Sequence, residues 1–165
     1  MIQAAVTGLY IDSKTGTTAV VLLKEIDGER TLPIWIEINL AYAIAIELNK
    51  DESKPKRPLA HDLIATVIRE LQARIVRIVV SDLREKIYYA QILLESRIGL
   101  LEIDARPSDS IVLALKFKAP ILIEERVFEK RVKDGSESEE DWAQELRNRL
   151  QQIPPEEFGN FSLDA

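Results

Sequence analysis

Apolar positions along this chain alternate in short runs and then switch to helical spacing, and the switch occurs more than once. Ile2 to Ile11 and Thr17 to Glu25 read as two strands, joined by the turn residues Asp12-Ser13-Lys14-Thr15-Gly16. Asp27-Gly28-Glu29 turns the chain into a third strand, Thr31 to Ile36, within which Trp35 is expected to be core. Asn39 to Lys50 then reads as a helix that is apolar over most of its surface. Lys50 to Pro58 has no periodicity and predicts a surface loop. After it, Leu63, Ile64, Val67, Ile68 and Leu71 form one stripe at helical spacing.

Two further strands follow, Ile75 to Ser81 and Lys86 to Leu94, hinged at Asp82-Leu83-Arg84-Glu85. Leu100 to Asp104 is a third, leading into a short helix that is apolar from Ile111 to Leu115, and another strand starts at Pro120. Strand, strand, strand, apolar helix thus occurs twice. Ala43-Ile44-Ala45-Ile46 and Leu48 align with Ser110-Ile111-Val112-Leu113 and Leu115 at an offset of 67 residues. Ile36-Glu37 falls opposite Ile103-Asp104. A duplicated unit explains this alignment; so does the general likeness of short apolar helices.

Beyond Val127 the composition changes, which divides the chain into a body, residues 1–128, and an appendage, residues 129–165. Lys133 to Asp141 reads as an exposed linker, with Ser138 and Asp141 spaced as a capping box. Trp142, Leu146, Leu150 and Ile153 make a narrow apolar seam on a charged helix that Pro154-Pro155 ends. Phe158 and Phe161 in the tail would dock on something if ordered. The seam packs on the body or joins two copies into a homo-oligomer.

Charge narrows the function. The net charge of −6 comes wholly from residues 124–165, with twelve acidic against six basic side chains, while residues 1–123 hold sixteen of each. No global basic field is present, so a nucleic-acid site must be a local patch. With no cysteine, thiolate nucleophiles and Cys-ligated metals are excluded. No apolar run reaches the roughly 20 residues of a membrane span, and no secretory leader pattern is present, so a cytoplasmic location is expected. Gly-rich phosphate loops, Gly-x-Ser-x-Gly elbows and zinc-protease helices are absent.

Candidate chemistry gathers at the corner between Leu100–Asp104 and the helix after it. Arg106 precedes a proline, which biases it away from helical geometry, and Pro107 suits a first helical position. Asp104, Arg106, Ser108 and Asp109 therefore crowd the mouth of a buried strand-to-helix corner. Asp104 and Asp109 could hold a magnesium or manganese ion, with Arg106 and the helix-start N–H groups on a phosphate. Those parts suit metal-assisted phosphodiester hydrolysis. The bland alternative is that Asp109 caps the helix and Arg106 pairs with Asp104. His61, the one histidine, starts the amphipathic helix beside Asp62 and could serve as general base or metal ligand. Adjacent helical residues diverge, however, and a helix-start histidine is often structural. The basic loop Lys54-Pro55-Lys56-Arg57-Pro58 could meet a polyanion, and an exposed ring of Tyr88-Tyr89 could stack a base.

Three motifs in order carry a resemblance to the bifunctional nuclease (BFN) domain, across about residues 2–128. They are Leu32-Pro33-Ile34-Trp35-Ile36 before an Ala-rich helix, Arg57-Pro58 leading to His61-Asp62-Leu63, and Asp104-Ala105-Arg106-Pro107-Ser108-Asp109-Ser110 before an apolar helix and Ala119-Pro120-Ile121. The resemblance implies an α+β fold with a mixed, predominantly antiparallel sheet and packed helices. It also implies nuclease activity on DNA and RNA, with His61, Asp62, Asp104, Arg106, Ser108 and Asp109 at the family's motif positions. In the working assignment His61, Asp62, Arg106 and Ser108 are catalytic and Asp104 and Asp109 hold the metal; the rival is a non-enzymatic interaction module. The chain departs from the family pattern at Leu40, where a glutamate is usual and Glu37 is the nearest carboxylate, and at Ala60, which replaces a capping threonine.

Overall fold

A computed structural model describes residues 1–49, 55–133, 144 and 150–152. Strands β1 (Ile2–Asp12), β2 (Thr18–Glu25) and β3 (Thr31–Glu37) form an antiparallel meander that runs into helix α1 (Ile38–Asn49). Helix α2 (Ala60–Glu70) separates it from a second meander, β4 (Arg74–Arg84), β5 (Ile87–Ser96) and β6 (Gly99–Ala105), which runs into α3 (Pro107–Phe117). The chain continues through β7 (Ile121–Ile123), α4 (Glu125–Lys133) and β8 (Leu150–Gln152).

β7 joins the two meanders into one sheet ordered β3-β2-β1-β7-β4-β5-β6. It runs antiparallel to β1 and parallel to β4; the other pairings are antiparallel, and β8 adds to the far end of β1. The result is the expected α+β fold, with the strand-strand-strand-helix unit present twice. Bulges in β1, between Val6 and Gly8, and in β4, between Ile75 and Arg77 and between Val80 and Asp82, bend the sheet. It curls far enough for β3 and the β4–β5 turn to line one cavity.

Alternation decides which side chains are core. Leu32, Ile34 and Ile36 face inward with Leu23, Val21 and Ala19 opposite them. Ile92 and Leu94 of β5 do the same beneath α3. In α3, Ile111 and Val112 are fully buried, each contributing about 2 kcal/mol relative to exposure. Its start is as expected, with Arg106 extended (ψ 145°) and Pro107 opening the helix. Lys118 ends it in the left-handed conformation at φ 51°.

Three expectations change. Trp35 is 49% exposed, because strict alternation turns it to the face opposite Ile34 and Ile36. Most of the stripe on α2 faces outward: Leu63, Ile64, Val67 and Leu71 are exposed, and the helix meets the body through Ala65, half-buried Ile68 and polar contacts to α3. Residues 125–133 form α4, pinned by Lys130 Nζ to Asp82 Oδ1 (2.5 Å) and Arg126 Nε to the Ser81 carbonyl (2.8 Å). Leu150 belongs to a strand paired with Ile11 and its neighbours, so it is not the third position of a helical seam. Trp142, Leu146, Ile153, Phe158, Phe161, the Ser138–Asp141 pair and Lys54 lie outside the described residues. Among the described residues no helix is long and apolar enough to cross a membrane.

Candidate active site

The site forms where the start of α2 meets the start of α3. Leu59, not Ala60, is the capping residue of α2, and Asp62 accepts a hydrogen bond from its N–H (2.8 Å), which fixes the first turn without a capping hydroxyl. That turn carries His61 across to α3, where its Nε2 lies 2.9 Å from Asp109 Oδ1. The other oxygen of Asp109 accepts from Arg106 Nε at 2.7 Å. Arg106 in turn reaches Glu37 Oε1, at the end of β3, through NH1 at 3.4 Å. His61, Asp109, Arg106 and Glu37 thus form one chain of contacts contributed by α2, α3 and the end of β3.

Exposure grades along this chain. The His61 side chain is 12% exposed, Asp109 28% and Arg106 60%. The imidazole is therefore largely shielded and held at one nitrogen, while the guanidinium is open to a ligand. Burial alone would raise the Asp109 carboxyl, but hydrogen bonds from Arg106 and His61 outweigh it and hold the group below its ordinary 3.8. The same Arg106–Asp109 bond raises the guanidinium above its ordinary value.

A lowered carboxyl ties stability to pH. Because the folded value lies below the unfolded one, the stabilisation is complete above about pH 3.9 and is lost as pH falls through the folded value. Asp109→Asn removes the linkage. Urea unfolding should show the wild type more stable than this variant at neutral pH, with the gap closing in acid. A gap that does not change with pH contradicts the ion-paired geometry.

Beside Arg106 opens a cavity of about 390 Å³. Trp35 and Glu37 line it from β3, Lys86 from the β4–β5 turn, Ile87 from the start of β5, and Pro107 and Ser108 from α3. A larger groove, about 950 Å³, lies at the opposite end of α3, near Lys116 and Lys118, away from this cluster.

A sequence profile of the bifunctional nuclease domain matches residues 21–134. The chain belongs to the bifunctional nuclease domain family. Uncharacterized proteins from two strains of Mycobacterium tuberculosis are each 34% identical to it over 165 residues, which covers 94% of this chain and 97% of theirs.

In this bifunctional nuclease domain the sequence-derived candidates separate into three groups. His61, Arg106 and Asp109 come together. Asp62 turns away from them, to the Leu59 N–H and to Lys116. Ser108 is 7% exposed at the cavity wall. Asp104 pairs across the sheet with exposed Gln91, whereas its neighbour Ile103 pairs with core Ile92, so Asp104 projects from the face opposite the helices. Arg106 accordingly pairs with Asp109 and Glu37, not with Asp104.

That separation bears on magnesium or manganese. Among the described residues no three His, Cys, Asp or Glu side chains gather where they could hold a metal. Both Asp109 oxygens already accept hydrogen bonds, each of them from the Arg106 guanidinium, which would repel a cation. The described donor set does not fit a resident divalent ion. Tyr88 is half-buried against the core, and Tyr89 lies under the Arg84 guanidinium, 5.0 Å from its ring centroid. The exposed aromatic beside the site is Trp35, which the i, i+2 alternation of Leu32, Ile34 and Ile36 could have revealed.

Proposed function

We propose that this bifunctional nuclease domain hydrolyses phosphodiester bonds in DNA and RNA, using His61 as the proton-transferring group and Arg106 as the phosphate-holding group. The observation that carries this reading is the His61–Asp109–Arg106 chain of contacts, whose Arg106 end lines the cavity. Asp109 holds one imidazole nitrogen, which fixes the ring and leaves the other nitrogen as the proton acceptor for an attacking hydroxyl or water. The Arg106 fork, 60% exposed, presents donors to the phosphoryl oxygens on which charge builds. Family membership supports the reaction class. Local placement of Arg106 and Lys86 supplies the positive patch that the neutral body lacks as a whole.

The test is cleavage of end-labelled single-stranded DNA and RNA by the purified chain, with magnesium, with manganese and with a chelator. Cleavage is expected, and Arg106→Ala should reduce kcat/KM by about 10²–10³-fold, the loss typical of removing one transition-state donor. Arg106→Lys should recover part of it, since charge returns without the planar fork. Asp104→Asn should cut as fast as the wild type, because that side chain sits on the other face of the sheet. Absence of cleavage under every condition, together with a lower Tm for Arg106→Ala, would assign the corner to architecture and favour a non-enzymatic interaction module.

A further inference from the structure

The cavity beside Arg106 has features that phosphodiester chemistry alone does not use. One wall is an indole, Trp35, 49% exposed on a strand whose alternate residues are core. Ile87, 58% exposed, extends the apolar surface from the start of β5, just after the β4–β5 turn. That turn consists of Glu85 and Lys86, both in the left-handed conformation at φ 49° and 64°. Glycine or asparagine adopts such a turn more readily, yet here it places a lysine on the rim of the cavity. Arg106 closes the other end, held by Glu37 through a long 3.4 Å contact that a phosphate oxygen can replace.

An aromatic face flanked by two cations matches the parts of one nucleotide, a planar base and the phosphates on either side of it. The volume, about 390 Å³, is within the range of small-ligand sites and admits a single base and sugar. A paired base is stacked and hydrogen-bonded within its duplex and cannot lie flat on a recessed indole unless it is extruded. We infer that the Trp35 cavity is a base-stacking subsite that selects single-stranded nucleic acid and sets the adjoining phosphate on Arg106. This inference rests on the nuclease reading for its choice of ligand, but it concerns binding and can fail separately.

The experiment is fluorescence anisotropy of a labelled single-stranded oligonucleotide at fixed salt, with the parent chain carrying His61→Ala so that the strand stays intact. Adding Trp35→Ala to this parent should weaken binding about 5- to 150-fold, the contribution of one stacked base, and Trp35→Phe should restore most of it. An abasic strand of equal length should bind the parent and its Trp35→Ala derivative equally, since it offers nothing to stack. Duplex of the same sequence should bind more weakly than the single strand and be insensitive to the substitution. Equal affinity of the two proteins for the intact strand, or equal losses for intact and abasic strands, overturns the subsite, whatever the wild type does in the cleavage assay. Should Trp35→Ala misfold, the parent alone decides the matter: it must bind the intact strand more tightly than the abasic one, and equal affinities overturn the subsite. Stacking-dependent binding by a chain that cuts nothing would keep the subsite and remove the hydrolytic reading.

Discussion

A His61→Ala chain should cleave single-stranded substrate about 10²–10⁴-fold more slowly than the wild type, the usual contribution of a positioned general base. The expectation follows from how the imidazole is held. It is 12% exposed, anchored at Nε2 to Asp109, and carried on the first turn of a helix fixed by Asp62. On the proposed reading, a ring held this way needs no reorientation before it accepts a proton. The fold should survive, because Asp109 keeps the Arg106 bond and loses one hydrogen bond, worth about 1 kcal/mol. Thermal unfolding would show this as a small change in Tm beside a large change in rate. Asp109→Asn should fall between His61→Ala and the wild type, since an amide can still contact the ring but no longer opposes the charge the ring gains on accepting a proton. Full activity in His61→Ala would move the proton transfer elsewhere and leave His61 as a tether between α2 and α3.

Much of this arrangement was legible in the sequence because it is local. The extended residue before Pro107, the proline opening α3 and the twofold run of three strands and an apolar helix each follow from short-range preferences, and each is present. What was not legible depends on which face a side chain takes. Asp104 and Asp109 are five residues apart, yet one belongs to a strand and the other to a helix, so sequence proximity carried no information about convergence. Trp35 looked like core because it is large and apolar, but its neighbours Ile34 and Ile36 occupy the inward positions. The α2 stripe shows the opposite case: a clear helical pattern of which only Ile68 packs on the body while the other four positions face solvent. α4 was missed because much of its attachment is polar, through Lys130, Arg126 and Arg131, and leaves little apolar periodicity to read.

Lys116→Met should lower stability by about 3 kcal/mol, the cost of leaving a buried charge without its partner. Lys116 is on α3 with its side chain 10% exposed, and its Nζ lies 2.6 Å from Glu47 Oε1 of α1, itself 11% exposed. The same ammonium contacts Asp62 of α2, so one charge joins three helices. Burial alone would lower the lysine, but the hydrogen bonds it donates to Asp62 and Glu47 outweigh that and hold the group above its ordinary value, charged throughout the neutral range. Methionine preserves the aliphatic stem and leaves Glu47 facing the helix interface alone; Asp62, 38% exposed, can turn to water. For a chain of this size the loss corresponds to a fall in Tm of about 6–12 °C. Glu47→Leu added to Lys116→Met should recover much of the stability, because an apolar pair of similar volume has no charge to desolvate. Because Asp62 also anchors the turn that carries His61, the single variant should lose activity as well, and the double variant should regain stability more fully than rate. A Tm unchanged by Lys116→Met would show that solvent reaches Glu47, and the three helices would then be held together by their apolar contacts alone.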